Sequence, residues 1–161
     1  MHPSQVEERT YEIFQSGMHC AEAALGALLE SEGHDRESLV RAASAFGAGV
    51  GRSREELCGA LSGSLIALGI LRGRSAPGES WDTVAAMAKD FRERFQSMHD
   101  CTACGELLAN FGPQENMEKC KRLTARAAGM MREIMDRDAA DIAPLSCGCC
   151  ACATKPCEAG A

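Results

Sequence analysis

Aromatic side chains are scarce in this 161-residue sequence, which has one Trp, one Tyr and five Phe. A core must then be assembled from aliphatic residues and alanine. A single domain of this length buries roughly two-thirds of its unfolded surface, so no cross-link is needed merely to fold it. Long apolar runs are also missing. The longest, from Leu57 to Leu71, has 15 residues, short of the roughly 20 that a spanning helix requires, so no membrane span is expected. The opening MHPSQVEERT is polar and acidic, without the positive-then-apolar order of a secretory signal, so a reducing, cytoplasmic setting is expected. There is no basic block: 23 acids stand against 17 bases for a formal net charge of -6, which excludes a phosphate-driven nucleic-acid binder. Arg52, Arg54, Arg72 and Arg74 sit beside turns and read as solvated helix ends rather than an anion site. Repeated β-branched alternation is absent too, which argues against a sheet.

What the sequence does contain is helical spacing. Ser4 and Glu7 have the form of a capping box, and Val6, Ile13, Phe14, Ala21, Leu25 and Leu28 recur at three- and four-residue intervals, predicting one long first helix. Leu39 to Phe46 makes a short second helix before a turn at Gly47, Gly49 and Gly51. Ser53 and Glu56 suggest another capping box ahead of the apolar run that contains Cys58. Within that run Gly59 and Gly63 share a face and permit another backbone to approach closely. Gly69 to Ser80 reads as a turn-rich connection. Trp81, Val84, Ala85, Ala88, Phe91 and Phe95 then form a core stripe. Cys104 to Phe111 is a short helix ended by Gly112 and Pro113, and Met117 to Ile134 mark the last one. Met87, Met98, Met117, Met130, Met131 and Met135 are spaced for packing rather than for copper ligation. The expectation is an all-α fold: a compact, bundle-like domain of five or six helices over 1–143, with a cysteine-rich C-terminal tail at 144–161.

Ten cysteines remain to be explained, and they fall into two sets. Cys20, Cys58, Cys101, Cys104 and Cys120 lie in the helical body. Cys147, Cys149, Cys150, Cys152 and Cys157 lie in the tail, where soft Zn2+ or Cu+ could gather several thiolates. Cys101 and Cys104 form a CxxC pair, a spacing that serves either a disulfide or a metal centre. Gly105 follows in place of His, so covalent c-type haem attachment is not expected. Cys20, Cys58 and Cys120 come from widely separated helices that a bundle can bring together. His19 beside Cys20 and His99 near Cys101 read as polar boundary residues. Asp100, Glu106 and Glu118 read as solvated or capping side chains.

GMHCAEAAL around Cys20, CGALSG at Cys58 to Gly63, CGELL at Cys104 and CKRL at Cys120 together resemble the redox-active protein family named for four cysteines and a CGAxxG motif. The resemblance covers roughly Val6 to Ile134. It nominates Cys20, Cys58, Cys104 and Cys120 as the core set and implies redox activity or a metal cofactor. Related helical sequence also occurs in a split-Soret type of cytochrome. Cys101 and the tail cysteines depart from the four-cysteine pattern.

Two chemistries follow. In the first, Cys20, Cys58, Cys104 and Cys120 ligate an iron–sulfur cluster, Zn2+ or Cu+, with Cys101 as a substitute ligand and a redox or metal-transfer protein as partner. In the second, Cys101 and Cys104 exchange thiol for disulfide without metal. A third reading is a non-enzymatic metal-buffering or interaction module built on the tail.

Overall fold

Two helices, not one, carry the apolar spacing from Val6 to Leu28 in the computed structural model, which describes residues 1–137 and 141. Helix α1 spans Pro3–Gln15 and α2 spans Cys20–Ser31. The break falls at Gly17, whose φ of 110° lies outside the helical range, and His19 restarts the helix by donating its backbone N–H to Glu22 Oε2 at 2.9 Å. The same bond at the chain start runs from His2 N–H to Gln5 Oε1 at 2.9 Å. The capping pair is therefore His2 and Gln5, two residues earlier than Ser4 and Glu7 suggest.

The remaining helices are α3 (Arg36–Leu39), α4 (Gly59–Arg72), α5 (Asp82–His99), α6 (Cys104–Phe111) and α7 (Glu118–Met135), with a 3₁₀ segment at Val40–Phe46 between α3 and α4. The described residues thus form seven α-helices and no sheet, an all-α domain as expected, with one helix more because α1 and α2 are separate. Ser53 and Glu56 do not cap α4. Ser53 Oγ donates to the Gly49 carbonyl instead, and Cys58 itself is the capping residue of α4. The tail cysteines lie outside the described residues.

Helix α2 is the axis of the core. Ala21 and every residue from Ala23 to Leu29 are buried, the pattern of a helix covered on all sides, and α1, α4 and α7 pack around it. Full burial of Leu25, Leu28 and Leu29 contributes roughly 1.5–3 kcal/mol apiece. Gly63 explains how α4 comes so close: a Cβ there would clash with the Ala21 carbonyl oxygen. Phe91 and Phe95 are buried as the α5 stripe predicts, whereas Trp81, just ahead of that helix, is 52% exposed. Met98 and Met117 are likewise exposed, while Met87, Met130, Met131 and Met135 pack in the core.

Ion pairs give the helices their directions. Arg72 in the last turn of α4 and Arg132 in the last turn of α7 both bond to Glu32, which follows α2. The three helices therefore run the same way. Helix α1 runs opposite, since the Met1 amine donates to the Ser31 carbonyl at 3.2 Å and Arg9 reaches Glu30 at 2.6 Å.

Candidate functional site

If α2, α4 and α7 end together at Glu32, they also begin together, and each begins with a cysteine. Cys20 is the first residue of α2, Cys58 caps α4, and Cys120 is the third residue of α7. Cys104 adds a fourth as the first residue of α6. Cys20, Cys58, Cys104 and Cys120 line one cavity of about 450 Å³. All are free thiols. Each helix start carries roughly half a positive charge from its unbonded N–H groups, which offsets part of the cost of holding anionic sulfur there.

Short local pairings aim these side chains. The segment before α4 runs antiparallel to the segment before α6, with a bridge between Leu57 and Ala103. Cys58 N–H donates to the Thr102 carbonyl and Cys104 N–H to the Glu56 carbonyl, each at 2.9 Å. This fixes two cysteines side by side at two helix starts. Gly59 makes room for a third, because a Cβ on it would clash with Cys20 Sγ. The small residue in CGALSG is therefore required by the site, while Gly63 is required by the core. Cys120 is held by Gln114, whose Nε2 donates to Cys120 Sγ at 3.2 Å while its Oε1 accepts from Cys120 N–H at 3.2 Å. Gln114 was not singled out in the sequence. The only signal is its place just after the Gly112–Pro113 break and six residues before Cys120.

Burial pushes the Cys58, Cys104 and Cys120 thiols upward. Charge on Cys20 adds to each, so the sulfurs are near enough to repel one another as thiolates. Arg54 opposes the rise at Cys104 and the Gln114 amide opposes it at Cys120. Left to themselves the three are protonated near neutrality, and a bound cation would exchange for those protons. No three His, Cys, Asp or Glu side chains among the described residues are already gathered about one point for a metal ion. The thiols line a cavity rather than close on a single centre.

Cys101 is turned elsewhere. It is buried in the core, its Sγ donating to the His99 carbonyl at 3.3 Å and accepting from Asn110 Nδ2 at 3.6 Å. Burial, then Glu106 and Asp100, raise its pKa. The CxxC spacing thus delivers one thiol to the cavity and keeps the other out. His19 lines the cavity, while His99 packs against Phe95 with ring centroids 4.7 Å apart.

Between the 3₁₀ segment and the bridge, the backbone is left-handed at Ala48, Gly49, Val50, Gly51, Arg52 and Arg54, with φ between 53° and 71°. For non-glycine residues this costs on the order of 1–3 kcal/mol each, and for a β-branched Val50 it is an outlier. Tight packing against α6 holds it. A Cβ on Gly49 would stand 2.8 Å from Cys104 Cβ, and one on Gly105 would stand 2.7 Å from the Arg54 carbonyl oxygen. Ala48, Arg52 and Arg54 line the cavity as a result.

The fold and the site together define an all-helical thiol protein in which separate helix starts present cysteines to one chamber. The chain belongs to the family described as "Putative redox-active protein (C_GCAxxG_C_C)", whose model matches residues 18–134. Where that label writes Gly-Cys-Ala, this chain has Cys58, Gly59 and Ala60. No curated protein and no solved structure matches the chain. Among the described residues no helix is long and apolar enough to cross a membrane.

Proposed function

We propose that the four-cysteine cavity is the redox centre of this protein and that it holds an iron–sulfur cluster through Cys20, Cys58, Cys104 and Cys120. The observation that carries this reading is the convergence of four thiols, from four helix starts, on one chamber. When bound, such a cluster supplies one-electron transfer, which Zn2+ does not. The donor set suits it: all four ligands are sulfur, and the helix starts and Arg54 offset thiolate charge. A chamber of about 450 Å³ has room for a centre with volume of its own. Gln114 keeps Cys120 oriented and hydrogen-bonds its sulfur. Cys101 stands outside the ligand set. Its burial and that of Cys104, with both thiols raised, weigh against metal-free exchange through the CxxC pair.

The test is anaerobic purification and reconstitution with iron and sulfide, read by metal content, acid-labile sulfide and visible absorption. Wild type, Cys101→Ser and a chain truncated before Cys147 should each take up the cluster. Serine at 20, 58, 104 or 120 should abolish or destabilise it. Absence of labile sulfide, uptake of Zn2+ or Cu+ alone, or loss of all metal with the tail would each overturn the proposal.

A further inference from the structure

The cavity is larger than its thiols require, and its charge is unlike that of the rest of the chain. In a protein of net charge -6, no carboxylate among the described residues lines it, while Arg52 and Arg54 do. Neither guanidinium has a hydrogen-bond or ion-pair partner among the described residues. Arg9, Arg36, Arg72, Arg94, Arg122, Arg132 and Arg137 are matched to acids, whereas Arg41, Arg74, Arg92 and Arg126 share with Arg52 and Arg54 the lack of an acid partner among the described residues but do not line this cavity. Arg52 and Arg54 are exposed at the mouth, on the left-handed run that the core holds in place. The rest of the wall is apolar, with Phe14, Leu107, Phe111 and Leu123 among its residues, and about 450 Å³ lies within the size range of small-molecule pockets. A wall of this kind with two fixed cations at its edge matches a ligand that has an apolar body and an anionic end.

We infer that this cavity binds a small organic anion, with its acidic group on Arg52 and Arg54 and its apolar body against Phe14, Leu107, Phe111 and Leu123. The inference rests on the reading of the chamber as a binding centre and names the class of molecule that meets it there.

The experiment uses the full chain, as purified anaerobically and again after iron and sulfide loading. Two fluorescent probes share an apolar body: anilinonaphthalenesulfonate carries the anion, and N-phenylnaphthylamine does not. The sulfonate should bind one per chain. R52Q/R54Q should weaken it by about tenfold or more, the loss expected for charge-assisted bonds, and leave the neutral probe unchanged. R52K/R54K should retain most of the preference. Only the side chains change, and the Arg54 backbone bonds to Ala48, where Arg54 N–H donates, and to Gly105, where its carbonyl accepts, are kept. Single R52Q gives a milder second variant, and thermal melts check folding. In the metal-free chain the sulfonate should slow alkylation of Cys20 and Cys120 and leave Cys101 unaffected. Equal affinity for the two probes, an R52Q/R54Q chain that binds the sulfonate as wild type does, or no protection of the cavity thiols overturns the inference. A chain that takes no cluster yet selects the sulfonate removes the proposed redox centre and keeps this site; a cluster-binding chain indifferent to the sulfonate does the reverse.

Discussion

The two ends of the parallel core helices are built from opposite materials. At the far end of α2, α4 and α7, charge is matched: Glu32 takes Arg72 and Arg132, and Glu30 takes Arg9 and Arg36. At the near end four thiols, Arg52 and Arg54 face a cavity that no carboxylate among the described residues lines. About 20 Å of helix separates them, from 12 to 14 residues at 1.5 Å each. Under the proposed function, stability lies at one end and chemistry at the other. The Met1 amine and Arg72 bond carbonyls where α2 and α4 finish, and the unbonded N–H groups where the helices start are left to act on sulfur.

The largest expected effect tests whether the cavity end depends on the close approach of α4 to α2. Gly63→Ala places its methyl on the Ala21 carbonyl, a backbone atom that cannot move without α2, and should cost about 3 kcal/mol or more in chemical denaturation. Gly59→Ala meets the Cys20 sulfur instead. It should cost less stability and more metal. Equal losses in both variants would erase the distinction between a glycine that serves packing and one that serves the site.

The two ends should also fail at opposite extremes of pH. Cys58, Cys101, Cys104 and Cys120 have pKa values raised by burial. Between the ordinary thiol value of about 8.5 and their folded values, the unfolded chain has released protons that the folded chain retains. Stability of the metal-free protein is therefore fully present below that range and falls as pH rises through it, by up to roughly 1.4 kcal/mol per pH unit for each thiol. Urea melts of the reduced protein from pH 7 to 10 measure this, and ligated thiols in the metal-loaded protein should blunt it. A flat profile would contradict the buried-thiol geometry.

Glu32 gives the acid-side counterpart. The Arg72 guanidinium, with help from Arg132, holds its carboxyl below the usual range. Its contribution is present above the unfolded carboxylate pKa and is lost as pH falls through the lowered folded value. Glu32→Ala should cost about 2 kcal/mol, between the values for exposed and buried pairs, because its side chain is 21% exposed. It should flatten the acid limb of the stability profile and leave the cavity thiols' alkylation rates unchanged. Altered rates would show that the two ends are coupled.

How much of this is written in the sequence differs between helix and site. The apolar spacing of α2, α5 and α7 specifies them, and the Gly112–Pro113 break sets the end of α6. The break at Gly17 was harder to see because Cys20 and Ala24 continue the spacing across it, and only its left-handed φ stops the helix. The motif context of Cys20, Cys58, Cys104 and Cys120 is enough to group them, and the structure brings those four to one cavity. The divergence of Cys101 from Cys104 is not legible, since CxxC spacing is compatible with either outcome until the Leu57–Ala103 bridge fixes the backbone. Nor are the roles of Arg52 and Arg54: solvated helix ends and a cavity rim have the same local sequence, and the left-handed run that separates the two readings is held by contacts with Cys104 and Gly105.

The smallest effect comes from the same helix that yields the largest. Gly69 lies in α4 beyond the crossing with α2, its φ is not left-handed, and a Cβ there meets nothing within 4 Å. With no contact to lose, only the backbone preference remains, and Gly69→Ala should raise stability by about 0.5–1 kcal/mol. The gain should appear in the melt and be absent from metal uptake and thiol reactivity. Along α4 the same substitution would then damage the site at 59, break the core at 63 and stabilise the chain at 69. A loss at 69 would mean that α4 needs its glycines for flexibility as well as for room.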